Sequence, residues 1–159
     1  NIDSVVLSLN QPYIYLDIQK IKDKKLNVDE VLETASSAAE SVQGISKTYV
    51  VNRLLHNQYP ESDKVQLIQH SIYPRNSGDL FLQLKPYWAF GNYDKGGTEH
   101  GSPYPYDTHI PIIFYGNGIQ QSIRTEPVNM EDIAPSIAYL LGVEMGTQRT
   151  HSLLPGLTR

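Results

Sequence analysis

The sequence predicts an α/β protein in two parts, and three features of its 159 residues lead to this fold class. Strand and helix patterns alternate up to Pro86 in the order β-β-α-β-α-β, which is typical of an antiparallel sheet with helices on one face. A long loop without regular periodicity then follows, and after it come a nearly all-apolar stretch at residues 110–115 and a helix pattern. We therefore expect a small α+β subdomain at residues 1–86 and a strand–helix piece of a second domain at residues 87–159.

The first part contains four strand patterns and two helix patterns. Runs of apolar residues between turn signals predict the strands, at residues 4–9, 13–17, 45–51 and 79–85. Apolar residues recur at helical spacing over residues 28–42, directly after Asn27, which is a predicted N-cap. A shorter helix is predicted over roughly residues 61–70, with Glu61 or Ser62 as its cap.

The second part contains one strand pattern and one helix pattern. Residues 110–115 read Ile-Pro-Ile-Ile-Phe-Tyr, and so apolar a run predicts a strand that is buried on both faces. A turn at residues 116–118 and a helix over residues 130–141, capped by Asn129, are predicted to follow. A buried strand needs parallel neighbours, which the rest of this part does not offer. We therefore expect the neighbouring strands to precede Asn1, in a longer polypeptide.

Composition excludes several classes of function. The net charge is −4, with acidic and basic residues interspersed, so no basic stripe is present to bind nucleic acid. The chain has no cysteine, which rules out disulfides, thiolate zinc sites and a cysteine nucleophile. No run of about 18 apolar residues occurs, so no membrane-spanning helix is expected.

His100 is the candidate metal ligand. It lies in a loop rich in glycine, proline and tyrosine, between Glu99 and Gly101, that leads into the apolar stretch. Glycines let the backbone approach a ligand closely, and a neutral imidazole binds zinc at about 2.0–2.1 Å. The alternative is a solvated or hydrogen-bonded histidine without metal.

Asp107 and His109 are the candidate supports of this site. On an extended backbone, residues two apart point to the same side, which suits a carboxylate–imidazole hydrogen bond. We expect a supporting or structural role, and direct ligation of a metal by both is the alternative. The other histidines, His56, His70 and His151, are expected at the surface or at caps.

No other catalytic motif is present. The sequence lacks His-Glu-x-x-His, a P-loop, Gly-x-Gly-x-x-Gly and Gly-x-Ser-x-Gly. Ser102 is too close in sequence to His100 for an easy side-chain hydrogen bond, and no sharp turn motif positions it as a nucleophile.

Several segments carry a resemblance to a known family. They are Arg75–Leu80, Leu84–Pro86, Gly97–Tyr104 with His-Gly-Ser-Pro-Tyr, Tyr106–Gly116 with Tyr-Asp-Thr-His, Asp132–Ala138 and Leu140–Gly142. These segments resemble the alkaline phosphatase superfamily, in particular bacterial alkaline phosphatases of the type I phosphodiesterase/nucleotide pyrophosphatase group. The resemblance is close over residues 75–143 and loose over the α+β part.

The resemblance implies a doubly wound α/β domain that holds two zinc ions and hydrolyses phosphate monoesters through a Thr or Ser nucleophile. His100 matches a late zinc-ligating histidine of the family, whereas the nucleophile and the other ligands would precede Asn1. No catalytic residue is then expected in this chain, which by itself should be inactive. Residues 1–86 resemble a small subdomain that the family inserts before the late histidine.

The sequence therefore predicts the C-terminal part of a zinc-dependent phosphoester hydrolase, periplasmic or secreted, that acts on a phosphate ester. The alternative is a stand-alone α+β binding or interaction module without catalytic activity. Preference for monoesters or diesters stays open, because residues that recognise the phosphate oxygens would lie outside the chain.

Overall fold

The computed structural model describes residues 5–91, 93–116, 119–145 and 152–157 and divides into two compact units, Asn1–Ile110 and Pro111–Arg159. The predicted turn at residues 116–118 lies largely outside the described residues, and His151 lies wholly outside them. The loop that follows Pro86 belongs to the first unit up to Ile110, and its buried Tyr104 hydrogen-bonds to the sheet, as described below. The assignment of residues 87–159 to a larger metallohydrolase domain stays a prediction.

The first unit is built on a four-stranded antiparallel sheet. Its strands are β1 (Val6–Asn10), β2 (Tyr13–Leu16), β3 (Ile45–Val50) and β4 (Leu80–Leu84). Their spatial order is β1-β2-β4-β3, so β4 lies between β2 and β3. The register places Tyr49 opposite Phe81 and Ile14 opposite Leu80. The four predicted strands and their antiparallel arrangement are confirmed.

The described residues of this unit form five helices: α1 (Ile18–Asp23), α2 (Val28–Glu40), α3 (Val51–Leu55), α4 (Asp63–His70) and α5 (Pro105–Thr108). The two predicted helices, α2 and α4, are confirmed with their caps: Asn27 Oδ1 accepts from the Asp29 N–H at 2.9 Å. Ser62 Oγ accepts from the Val65 N–H at 3.3 Å. The sequence did not predict α1, α3 and α5, which are too short to show a helical period.

Helices pack on both faces of the sheet, so the prediction that they lie on one face is wrong. Leu80 of β4 belongs to a cluster with Leu32 of α2, whereas the next residue, Phe81, belongs to a cluster with Leu54 of α3 and Ile68 of α4. Successive side chains of a strand point to opposite faces. Because β4 is apolar on both sides, helices on one face alone would leave half of it in water.

The second unit contains a 3-10 turn, Met130–Asp132, that runs into helix α6, Ile133–Leu141. Asn129 and Asp132 form a reciprocal capping box, which confirms the predicted start of the helix. The fully buried Ser136 hydroxyl donates to the Asp132 carbonyl at 2.6 Å and accepts from the Leu154 N–H at 2.8 Å, which binds the last described segment to the helix.

The apolar residues 110–115 are neither paired nor buried among the described residues, and since their expected neighbours lie outside this chain, the buried strand stays a prediction. The segment carries no strand assignment, and Ile113 and Tyr115 are 84% and 99% exposed. Within the described ranges no strand pairs with it. An isolated extended segment cannot bury two apolar faces, because that requires neighbours on both sides.

Among the described helices, none combines the length and the hydropathy needed to cross a membrane.

Candidate functional site

The loop that carries His100 is fixed to the sheet by Tyr104. This side chain is 6% exposed, and its hydroxyl donates to the Leu84 carbonyl at 2.8 Å and accepts from Gln83 Nε2 at 3.2 Å. The other end of the Gln83 amide accepts from the Tyr49 hydroxyl at 3.1 Å. A buried amide is costly unless both of its ends are hydrogen-bonded. Gln83 therefore pins the His100 loop (residues 96–109) to β4.

Asp107 closes the turn that follows His100. It lies in the one-turn helix α5, which begins with Pro105 at its N-terminus, where proline is well tolerated. Asp107 Oδ2 accepts from the Ser102 N–H at 2.9 Å and from the Ser102 hydroxyl. These two hydrogen bonds and the nearby His100 hold the pKa of Asp107 below its ordinary value. The carboxylate therefore fixes the chain two residues after His100.

Asp107 and His109 do not form the pair that an extended backbone would give. Residues 105–108 are helical, and residues two apart on a helix point to roughly opposite sides. The Asp107 carboxylate bonds to Ser102, whereas the backbone N–H of His109 donates to the Pro105 carbonyl at 3.1 Å as the helix ends. The expected extended geometry is wrong, and a role for either residue in supporting a metal ligand stays a prediction.

His100 itself is exposed and is held through its backbone. Its N–H donates to Glu99 Oε1 at 3.1 Å, and Glu99 Oε2 accepts from the Tyr93 hydroxyl at 2.7 Å. The pKa of Glu99 is lowered mainly by the hydrogen bond from Tyr93 and, to a smaller extent, by the one from the His100 N–H. The hydrogen bond between Tyr93 and Glu99 also raises the pKa of Tyr93. Gly101 has φ +95°, a left-handed conformation that favours glycine, with open space beside it.

The fit to a metal can be tested on these residues. Among the described ranges, no group of three or more histidine and carboxylate side chains is arranged to hold an ion. An exposed imidazole on a loop with open space beside it suits one ligand position. A complete site would then need ligands from outside the described residues.

Three stacked tyrosines are the feature that the sequence did not predict. The rings of Tyr104 and Tyr106 lie 5.7 Å apart at 22°, and those of Tyr106 and Tyr87 lie 5.0 Å apart at 20°. The Tyr87 N–H also donates to the Tyr106 hydroxyl at 3.0 Å. The alternating Pro-Tyr-Pro-Tyr at residues 103–106 is the sequence signal from which this tyrosine stack could have been predicted. Each proline restricts φ and so limits the directions in which the neighbouring tyrosine rings can point.

Comparison with known proteins relates most of the chain to alkaline phosphatases. No family model matches it. It is 33% identical over 140 residues to a protein of Myroides odoratus named calcium-transporting ATPase, covering 88% of this chain and 25% of that protein. It is 28% identical over 142 residues to alkaline phosphatase PafA of Elizabethkingia meningoseptica, covering 89% of this chain and 26% of PafA.

The fold agrees with a solved structure. The crystal structure of wild-type PafA matches with a TM-score of 0.72 and 27% identity, over 88% of this chain and 26% of that one. The chain thus spans about a quarter of the length of the relatives it matches. The shared fold therefore includes most of this chain.

Proposed function

Because the chain belongs to the alkaline phosphatase superfamily, we propose that it is the C-terminal quarter of a zinc-dependent enzyme that hydrolyses phosphate monoesters. The observation that carries the proposal is the similarity to PafA in both sequence and fold over nearly nine-tenths of the chain. The nucleophile, a Thr or Ser, and the remaining metal ligands would be supplied by the rest of the protein. We place that protein in the periplasm or outside the cell.

His100 is proposed as one ligand of a two-zinc site. The His100 N–H donates to Glu99, and the Ser102 N–H, two residues later, donates to Asp107. Because both contacts hold the backbone, they need not break for the His100 ring to bind an ion. Zinc ions in such sites polarise phosphoryl oxygens and favour the ionised form of a nucleophile. The contribution of this chain is to orient one imidazole, with Asp107 supporting the loop and His109 ending the helix behind it.

The test uses the full-length gene product that contains this chain. His100→Ala should lower the zinc content measured by elemental analysis and reduce p-nitrophenyl phosphate hydrolysis by at least about 100-fold, since a lost ligand removes more than an outer support does. His56→Ala is the matched control, because His56 is an exposed histidine whose Nδ1 lies 2.7 Å from the Asn52 carbonyl. Unchanged zinc in the His100 variant would contradict the ligand assignment.

ATP hydrolysis is a second candidate, favoured by the name of the Myroides odoratus relative. Parallel assays with p-nitrophenyl phosphate, bis-p-nitrophenyl phosphate and ATP separate monoesterase, diesterase and nucleoside triphosphatase activities. The phosphate monoester should be the best substrate, and a clear preference for ATP would replace our proposal with the second candidate.

A stand-alone binding module is the alternative from another class. The isolated 159-residue chain should show no phosphatase activity with added zinc, and the full-length protein should be active. If the full-length protein is also inactive on all three substrates, the enzyme proposal fails and the binding module is favoured.

A further inference from the structure

The tyrosine stack ends on an exposed ring. Tyr104 lies at its buried end, where Lys64 Nζ is 4.8 Å from the ring centre, and Tyr106 lies in the middle. Tyr87 forms the other end and is 88% exposed, although one of its faces lies against Tyr106. The stack therefore presents one aromatic face that the described residues do not cover.

The backbone of Tyr87 is strained in order to hold this ring. Its φ is +65°, in the left-handed region, where a bulky side chain is a genuine outlier. A glycine would adopt the same conformation without strain, and the hydrogen bond to Tyr106 comes from the Tyr87 backbone, not from its side chain. Within the described residues the Tyr87 ring buries little of its surface, so packing contributes little stability at this position. Backbone strain of this kind clusters at active sites and at residues that hold ligands.

The stack and the candidate ligand belong to one short, fixed segment. Tyr106 precedes Asp107, whose carboxylate holds Ser102, two residues from His100. The Tyr104 hydroxyl anchors the same segment to the sheet. The loop that carries His100 thus also holds Tyr87 in place, through the ring and the hydroxyl of Tyr106.

We propose that the outer face of Tyr87 stacks on the planar aromatic ring of a phosphate-ester substrate, such as the base of a nucleoside monophosphate. The inference rests on the proposed phosphatase function and names a substrate class for it. Nearly parallel rings at 20–22° form a repeating stack, so a further planar ring can extend it with the same geometry. Stacking on tyrosine tolerates different bases, because every base has a π-face.

The first experiment compares adenosine 5′-monophosphate with ribose 5-phosphate, which carries the same phosphate ester without a base. In the full-length enzyme, Tyr87→Gly should lower the ratio of kcat/KM for the two esters about fivefold, the lower end of the range for one stacked base. Tyr87→Phe keeps the ring and should keep the ratio. Tyr73→Ala, at another exposed tyrosine, is the matched control and should also keep it.

An unchanged ratio in Tyr87→Gly would overturn the inference, including the case in which the variant loses thermal stability. That case would mean that Tyr87 packs against another part of a longer polypeptide. Glycine suits φ +65°, so failure to fold is not expected.

A second experiment separates this inference from the proposed function. Trp88 follows Tyr87 and is the only tryptophan in the sequence, and its half-exposed ring lies against Gly44, so its fluorescence is a probe next to Tyr87 in the chain and not part of the tyrosine stack. Adenosine should quench it saturably in the native chain and in Tyr87→Phe, and at least about fivefold more weakly in Tyr87→Gly. Equal quenching in all three would overturn the stacking inference. Tyr87-dependent quenching in a protein that hydrolyses no ester would keep Tyr87 as a nucleoside-stacking residue and reject the phosphatase function, and with it the ester as substrate.

Discussion

Strand β4 and the segment at residues 110–115 have similar apolar composition but opposite environments. β4 is hydrogen-bonded to β2 on one side and to β3 on the other, and helices cover both of its faces. The segment is unpaired within the described residues, and its Ile113 side chain is 84% exposed. The contrast shows that an apolar run becomes a buried strand only when the same fold supplies strands beside it and side chains above and below it.

The largest expected difference comes from truncating one aliphatic side chain in each region. Leu80→Ala in β4 removes a fully buried side chain and should lower the free energy of unfolding by about 2–5 kcal/mol. Ile113→Ala should change it by no more than about 0.5 kcal/mol in this chain, because most of the side chain is already in water. Urea unfolding of the two variants measures the difference, and equal losses would show that Ile113 is buried in solution.

A smaller difference is expected from removing the tyrosine hydroxyl that bonds to β4 and one in the segment at residues 110–115. Tyr104→Phe leaves the Leu84 carbonyl and the Gln83 amide without the partner that they share, and should cost about 1–2 kcal/mol of stability. Tyr115→Phe is the matched control with almost no expected effect, since this residue is 99% exposed. Denaturant titrations measure both values. If Tyr104→Phe is neutral, the loop is not anchored through this hydroxyl.

The smallest effect is expected at Asp107, which holds the loop between the two regions. Its pKa is lowered in the folded state by the Ser102 hydrogen bonds, so its carboxylate stabilises the fold above the unfolded pKa and loses that contribution as the pH falls through the folded value. Asp107→Asn should therefore lower the melting temperature slightly at pH 7.

The difference between Asp107→Asn and the native chain should shrink below about pH 4, near the ordinary pKa of aspartate. Melting temperatures measured across this range test the assignment. In the full-length protein the same variant should retain most of its zinc, and a loss of zinc at unchanged melting temperature would indicate direct ligation instead.

Much of the first unit could be predicted from the sequence because its signals are local. Asn27 and Ser62 cap their helices through bonds to residues two or three positions later, which a sequence pattern reveals directly. The short helices α1 and α3 could not be predicted, since five or six residues scarcely define a period. The burial of Tyr104 depends on Gln83, 21 residues away, and no local pattern encodes that contact.

The candidate site was predictable only in part. The loop around His100 was found from its unusual residues, but the geometry of Asp107 and His109 was not, because Pro105 starts a helical turn where an extended backbone was expected. The tyrosine stack depends on Tyr87 and Tyr106 meeting across the loop, which their separation of 19 residues does not suggest.

The strand order also has a consequence for how the first unit folds. β2 and β4 are neighbours in the sheet, and the Leu16 N–H donates to an Asp79 carboxylate oxygen 63 positions later at 2.7 Å. The β1–β2 hairpin and the capped helix α2 need only nearby residues, whereas the centre of the sheet requires the closure of this long loop. Non-local pairing of this kind slows folding. The joining of the hairpin to β4 is therefore expected to be a late event that sets the folding rate of the unit.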